Sequence, residues 1–158
     1  MNDVAKKPGV IPLPPLIYVA AIAISIILHV VYPLPWFTSP FSDILVAAGW
    51  LSLLAFAALF YTAVTAMRRA KTTINPNATP SHLVIGGPFS ITRNPIYLAD
   101  TLLLVGVGLI SGIAWFLVFA VAGAFATQKL AIEREEKVLK EKFGKKYLDY
   151  AKRVRRWI

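Results

Sequence analysis

Three long stretches of this chain are almost free of charge, and their lengths decide what it can fold into. No Asp, Glu, Lys or Arg lies between Lys7 and Asp43 or between Asp43 and Arg68, and Asp100 is the sole charge from 96 to 128. A bilayer core of about 30 Å takes roughly 20 residues of apolar helix to cross. The apolar core at 16–31 is just long enough, and the uncharged run at 44–67 ends on Arg68, Arg69 and Lys71 as a second span with a basic stop. The third stretch, as one helix, would reach about 50 Å. Gly106, Gly108, Ser111 and Gly112 therefore mark a break that folds it into a helical hairpin. The expected fold is an all-α integral membrane protein with four transmembrane helices, at about 14–32, 43–67, 95–111 and 112–132, and a cytoplasmic helical tail at 133–158.

Composition agrees, because 57% hydrophobic residues and a mean hydropathy of +0.62 exceed what a soluble domain of 158 residues can hide. The 17 Lys and Arg residues fall in the N-terminal tail, between Arg68 and Arg93, and from Lys129 onward, with none in either of the other turns. That distribution puts both termini and the 68–93 segment in the cytoplasm. Lys6 and Lys7 precede an apolar run as in a signal peptide, but Pro14, Pro15 and the lack of a small-residue cleavage pattern favour a retained first span. A net charge of +9 without basic residues interleaved with exposed aromatics points to anionic lipid headgroups, not nucleic acid. Cysteine is absent, so thiolate nucleophiles and Cys-based metal sites are excluded, and no metal is expected.

The turn-rich stretch at 82–97 interrupts this apolar pattern. Gly86, Gly87 and Pro88 break a helix, and Asn94 followed by Pro95 supplies an N-cap and a first-turn proline, so a new helix starts at Ile96 or one residue earlier. A helix start welcomes an anion, Arg93 adds a full charge, and Phe89 and Tyr97 offer rings for stacking on a base or facing a cation. These features suit a zwitterionic, cationic, base-containing ligand such as S-adenosylmethionine, and suit other nucleotides too. The tail from Lys129 reads as a helix capped by Gly144. Beyond it Tyr147, Tyr150, Val154 and Trp157 recur at helical spacing, as in a helix lying on the lipid interface. Within the tail Glu133 with Lys137 and Glu136 with Lys140 form i,i+4 pairs, the bland reading of its acids. Asp100 lies one turn after Tyr97, placed for substrate contact or for pairing with Arg93. His29 is read as an interhelical hydrogen-bonding residue.

The ordered set Thr72, Thr73, Pro76, His82, Leu83, Val84, Gly87, Pro88, Phe89, Arg93, Asn94, Pro95 and Tyr97, then Glu135, Glu136, Leu139, Phe143, Gly144, Tyr147, Tyr150, Arg156 and Trp157, resembles the isoprenylcysteine carboxyl methyltransferase and phospholipid methyltransferase superfamily. The resemblance covers the second half of the chain. It implies a membrane-embedded methyltransferase that uses S-adenosylmethionine in a cytoplasm-facing pocket and takes a lipid or lipidated small-molecule substrate sideways from the bilayer. By position it implies cofactor binding by His82, Leu83, Val84, Gly87, Phe89, Asn94, Pro95, Tyr97 and Glu135. With the reading of the residues it makes Arg93, Asp100 and Glu136 the catalytic candidates. Asn94 and Ala131 stand where the eukaryotic prenylcysteine branch has His and Arg, which weighs against a prenylcysteine carboxylate as substrate. The rival readings are an NADPH-dependent membrane lipid reductase and a non-catalytic membrane protein whose basic tail holds anionic lipid.

Overall fold

Each uncharged run folds as helix, because a backbone in hydrocarbon must satisfy its polar groups within its own segment. The computed structural model describes residues 14–73, 78 and 80–158. Lys6, Lys7 and Pro76 lie outside the described residues, and no strand occurs among those described. Helix α1 spans Pro14–Val31 and α2 spans Phe41–Arg69, while α3, Pro95–Ser111, and α4, Ala114–Thr127, form the expected hairpin. A single turn of π-helix, Gln128–Ile132, leads into α5, Glu133–Phe143, and α6, Lys145–Arg153, follows. Pro14–Val31, Phe41–Arg69 and the continuous Ala114–Phe143 are long and apolar enough to cross a membrane. The 17-residue α3 is apolar but shorter.

The hairpin breaks where glycine permits it. Gly112 ends α3 in the left-handed conformation, φ 70°, and a Cβ there would meet the Trp36 ring at 3.0 Å. Pro95 opens α3 as expected, but Asn94 caps it only by position: its amide makes no capping bond and donates instead to Arg156 O at 2.9 Å.

α1 lies against α4, α4 against α3, and α3 against α2 along the longest interface. Gly49 and Gly106 bring α2 and α3 together so closely that a Cβ on Gly106 would sit 2.6 Å from Leu53. Tyr18, Ala21, Leu104, Phe116 and Ala120 form the core of the bundle. Polar groups inside it find partners on neighbouring helices: Ser52 donates to Leu102 O at 2.9 Å, and the Tyr18 hydroxyl meets Thr101 Oγ1 at 2.8 Å. Leu16, Val19, Ile27, Leu51, Leu54, Val121 and Phe125 face outward, as an apolar solvent requires.

The tail differs from the expected interfacial helix. Tyr147, Tyr150 and Val154 are buried against Leu83, Leu139 and Phe143, so the apolar face of α6 covers the protein instead of lipid. Trp157 lies beyond the helix and donates to Gln128 Oε1 at 2.8 Å. That packing folds the tail back over the α2–α3 loop.

Candidate active site

The start of α3, the loop before it and the two tail helices enclose one cavity. Its volume is about 230 Å³, a little below the roughly 300–1,000 Å³ of typical small-molecule sites, and its mouth is open. Its walls hold His82, Leu83, Val84, Phe89, Arg93, Asn94, Pro95, Tyr97, Asp100, Glu135 and Glu136. Of the candidates read from the sequence, Gly87 alone stays outside this lining. Its φ of 60° opens the short 3₁₀ turn Gly87–Ser90, which sets Phe89 into the wall.

The turn is fixed from the tail. The Tyr150 hydroxyl donates to Phe89 O at 2.6 Å, and the Arg93 amide donates to Arg155 O at 3.0 Å. On the loop's other flank Ser81 Oγ donates to Lys71 O at 2.7 Å. His82 is exposed, with its Nδ1 3.3 Å from Ser81 Oγ.

Two adjacent glutamates take different partners. The Tyr97 hydroxyl donates to Glu135 Oε1, joining the first turn of α3 to that of α5. Glu136 receives both Arg156 Nε at 2.9 Å and an Arg156 terminal nitrogen at 2.8 Å, and it pairs with Arg93 at 3.3 Å. Glu133 pairs with Lys129 at 2.7 Å. Neither the Glu136–Lys140 nor the Glu133–Lys137 pair read from the sequence forms among the described ion pairs: Glu136 takes the stronger guanidinium partners Arg93 and Arg156, and Glu133 takes Lys129, one turn earlier along the same helical run. Arg93 also donates to the Tyr147 hydroxyl at 3.2 Å, and its Nε is buried without an acceptor among the described residues.

Asp100 lines the cavity one turn deeper along α3 than Tyr97 and makes no ion pair with Arg93. Pro14 and Pro15 of α1, Met67 of α2 and Ile96 of α3 complete an apolar part of the wall at the ends of the bundle helices. Burial pushes the Tyr147 and Tyr150 phenols above the ordinary tyrosine value. Glu136 pushes Tyr147 further in that direction and Arg93 opposes it, so both rings remain neutral hydrogen-bonding walls.

Sequence reasoning assigned no site role to Tyr147, Tyr150 or Arg156. The signal was present in the spacing of the two tyrosines, but helical spacing beside basic residues reads equally as a lipid-facing stripe. Arg156 carries no local signal, since its partner Glu136 is 20 positions away.

Residues 44–146 match the family model described as phospholipid methyltransferase. The match runs from the first turn of α2 to the first turn of α6 and so takes in the loop and both glutamates. Neither the curated proteins nor the solved structures gave a match.

Proposed function

This chain belongs to the phospholipid methyltransferase family, a family of membrane methyltransferases acting on lipid, and from that premise we propose that its methyl donor is S-adenosylmethionine, bound in the cavity between α3 and the tail. The observation that carries the proposal is the pairing of an acidic wall with an apolar, aromatic one. Glu135 would hold the cationic end of the donor, kept in place by Tyr97, while Leu83, Val84, Phe89 and Leu139 would flank its base. Arg93, in the same wall, would orient the donor's anionic group. When bound, the donor supplies an electrophilic methyl group on sulfur.

In-line transfer of that methyl needs alignment and exclusion of water more than acid–base help. The tail supplies the closure, with Tyr147 and Tyr150 packed over the loop. An amine acceptor must also lose a proton, and Asp100, a carboxylate of the cavity lining, would take it. Of the three acids in the lining, Glu136 is paired with Arg93 and Arg156, which leaves Asp100 and Glu135 with no cationic partner among the described ion pairs. That balance favours a lipid bearing an amine over a prenylated carboxylate, the second reading. The acceptor would arrive past Pro14, Pro15, Met67 and Ile96, with α3 as a fourth crossing and the α2–α3 loop and tail on the cytoplasmic face.

The test is transfer of labelled methyl from S-adenosylmethionine to a total lipid extract, with products identified by mass spectrometry. A labelled, amine-bearing lipid is expected. Absence of any labelled lipid would overturn the proposal.

A further inference from the structure

Two consecutive residues beyond α6 touch three of the groups assigned above to binding or catalysis. Arg155 O accepts from the Arg93 amide at 3.0 Å. Arg156 O accepts from Asn94 Nδ2 at 2.9 Å and from Thr92 Oγ1 at 3.2 Å, and Thr92 is fully buried. The Arg156 guanidinium grips both oxygens of Glu136. The next residue, Trp157, donates to Gln128 Oε1 in the π-helical turn that joins α4 to α5.

We infer that residues 155–157 act as a positioning strap that sets the cavity's two walls in register before any ligand binds, with Arg156 as a positioning residue acting through Glu136. Segment 92–94 has no regular secondary structure of its own to orient it. The Arg93 backbone amide, the Thr92 hydroxyl and the Asn94 side-chain amide all run to the strap, the last leaving its capping position to reach Arg156 O, while the Arg93 guanidinium goes to Glu136 and Tyr147. α5 makes the opposite wall, and its Glu136 has both oxygens occupied by the same Arg156. One residue therefore bridges the walls twice, by its carbonyl on one side and its guanidinium on the other. The guanidinium fork suits this task because a two-point contact fixes orientation as well as distance. Arg156 lies outside the cavity lining, so its influence on a ligand is transmitted through Glu136, Asn94 and Arg93.

The inference rests on the cavity being the donor site for its effect on donor affinity but not for its structural consequence. Its test uses the full chain in detergent, comparing the natural protein with Arg156→Ala and Arg156→Lys by hydrogen exchange without ligand and by titration with S-adenosylmethionine. In Arg156→Ala the Arg93 amide and peptides covering 92–98 should exchange about tenfold faster or more, with α1 and α2 unchanged, as expected for a local opening. The donor Kd should rise about tenfold. Arg156→Lys keeps the charge and the carbonyl and should recover part of both effects. Combining Arg156→Ala with Glu136→Gln should fall short of the sum of the two single changes, since both weaken the Arg156–Glu136 contact.

Unchanged exchange at 92–98, acceleration spread evenly over the bundle, or additive effects in the pair would overturn the strap. If Arg156→Ala does not fold, Arg156→Lys decides by the same local readout. Faster local exchange in a protein that binds no S-adenosylmethionine supports the strap and refutes the donor. Equal donor binding by all variants with unchanged exchange does the reverse.

Discussion

The Tyr97 hydroxyl donates a hydrogen bond to Glu135 Oε1, which joins the first turn of α3 to the first turn of α5 across the cavity. A hydrogen bond to a charged group contributes about 1.5–3 kcal/mol. Tyr97→Phe should therefore free Glu135 to reorient and weaken donor binding about tenfold. Calorimetric titration of the two proteins checks this, and equal affinities would show that Glu135 needs no such support.

Glu136 is the counter-charge for two arginines. Glu136→Ala should leave Arg93 and Arg156 facing each other, costing about 1–3 kcal/mol of stability because the group is only partly exposed. Glu136→Gln, which keeps an acceptor, should lose less. Thermal melts in detergent rank the three proteins.

Asp100 tests the nature of the acceptor. With an amine substrate Asp100→Asn should lower kcat about 100-fold while leaving donor Kd within about twofold. An unaltered kcat would indicate an acceptor that reacts without losing a proton.

The tail should open in alkali. Burial raises the folded values of Tyr147 and Tyr150, so their contribution to stability is intact below the ordinary tyrosine value of about 10 and is lost as pH climbs through the raised values. Melting temperature should fall above pH of about 10, and less steeply when both are Phe. An identical alkaline slope in that variant would remove the tyrosines from the account.

Close approach of α2 and α3 should resist added volume. Gly106→Val must displace Leu53 or the Gly49 backbone, costing about 1–3 kcal/mol. A melting temperature several degrees lower is expected, and an unchanged one would contradict the packing described.

Helix positions were legible because each rests on a local cause: charge-free runs, the Pro95 start, the Gly112 break and the Gly144 end. Every candidate site residue but Gly87 lines the cavity, as a motif whose parts the fold brings together, while the walls supplied by α1 and α2 carried no such motif. What the sequence could not disclose were choices made between distant partners. Asn94 had a local role as cap, and Arg156 O outcompeted it. Glu136 had a neighbour in Lys140, and two arginines from other segments outcompeted that. The aromatic stripe of α6 met lipid by pattern and protein by packing, since Leu83, Leu139 and Phe143 reach it only once the tail folds back. The π-helical turn at Gln128–Ile132 has no residue signature, and it changes which face of α5 looks inward.

The most direct measurement is equilibrium titration of the detergent-solubilised protein with S-adenosylmethionine and, in parallel, with NADPH. Saturable binding of S-adenosylmethionine at one site is expected, weakened about tenfold or more in Glu135→Ala and in Arg93→Ala, with no comparable binding of NADPH. Binding of NADPH alone, or S-adenosylmethionine affinity indifferent to both substitutions, would contradict the proposed donor site.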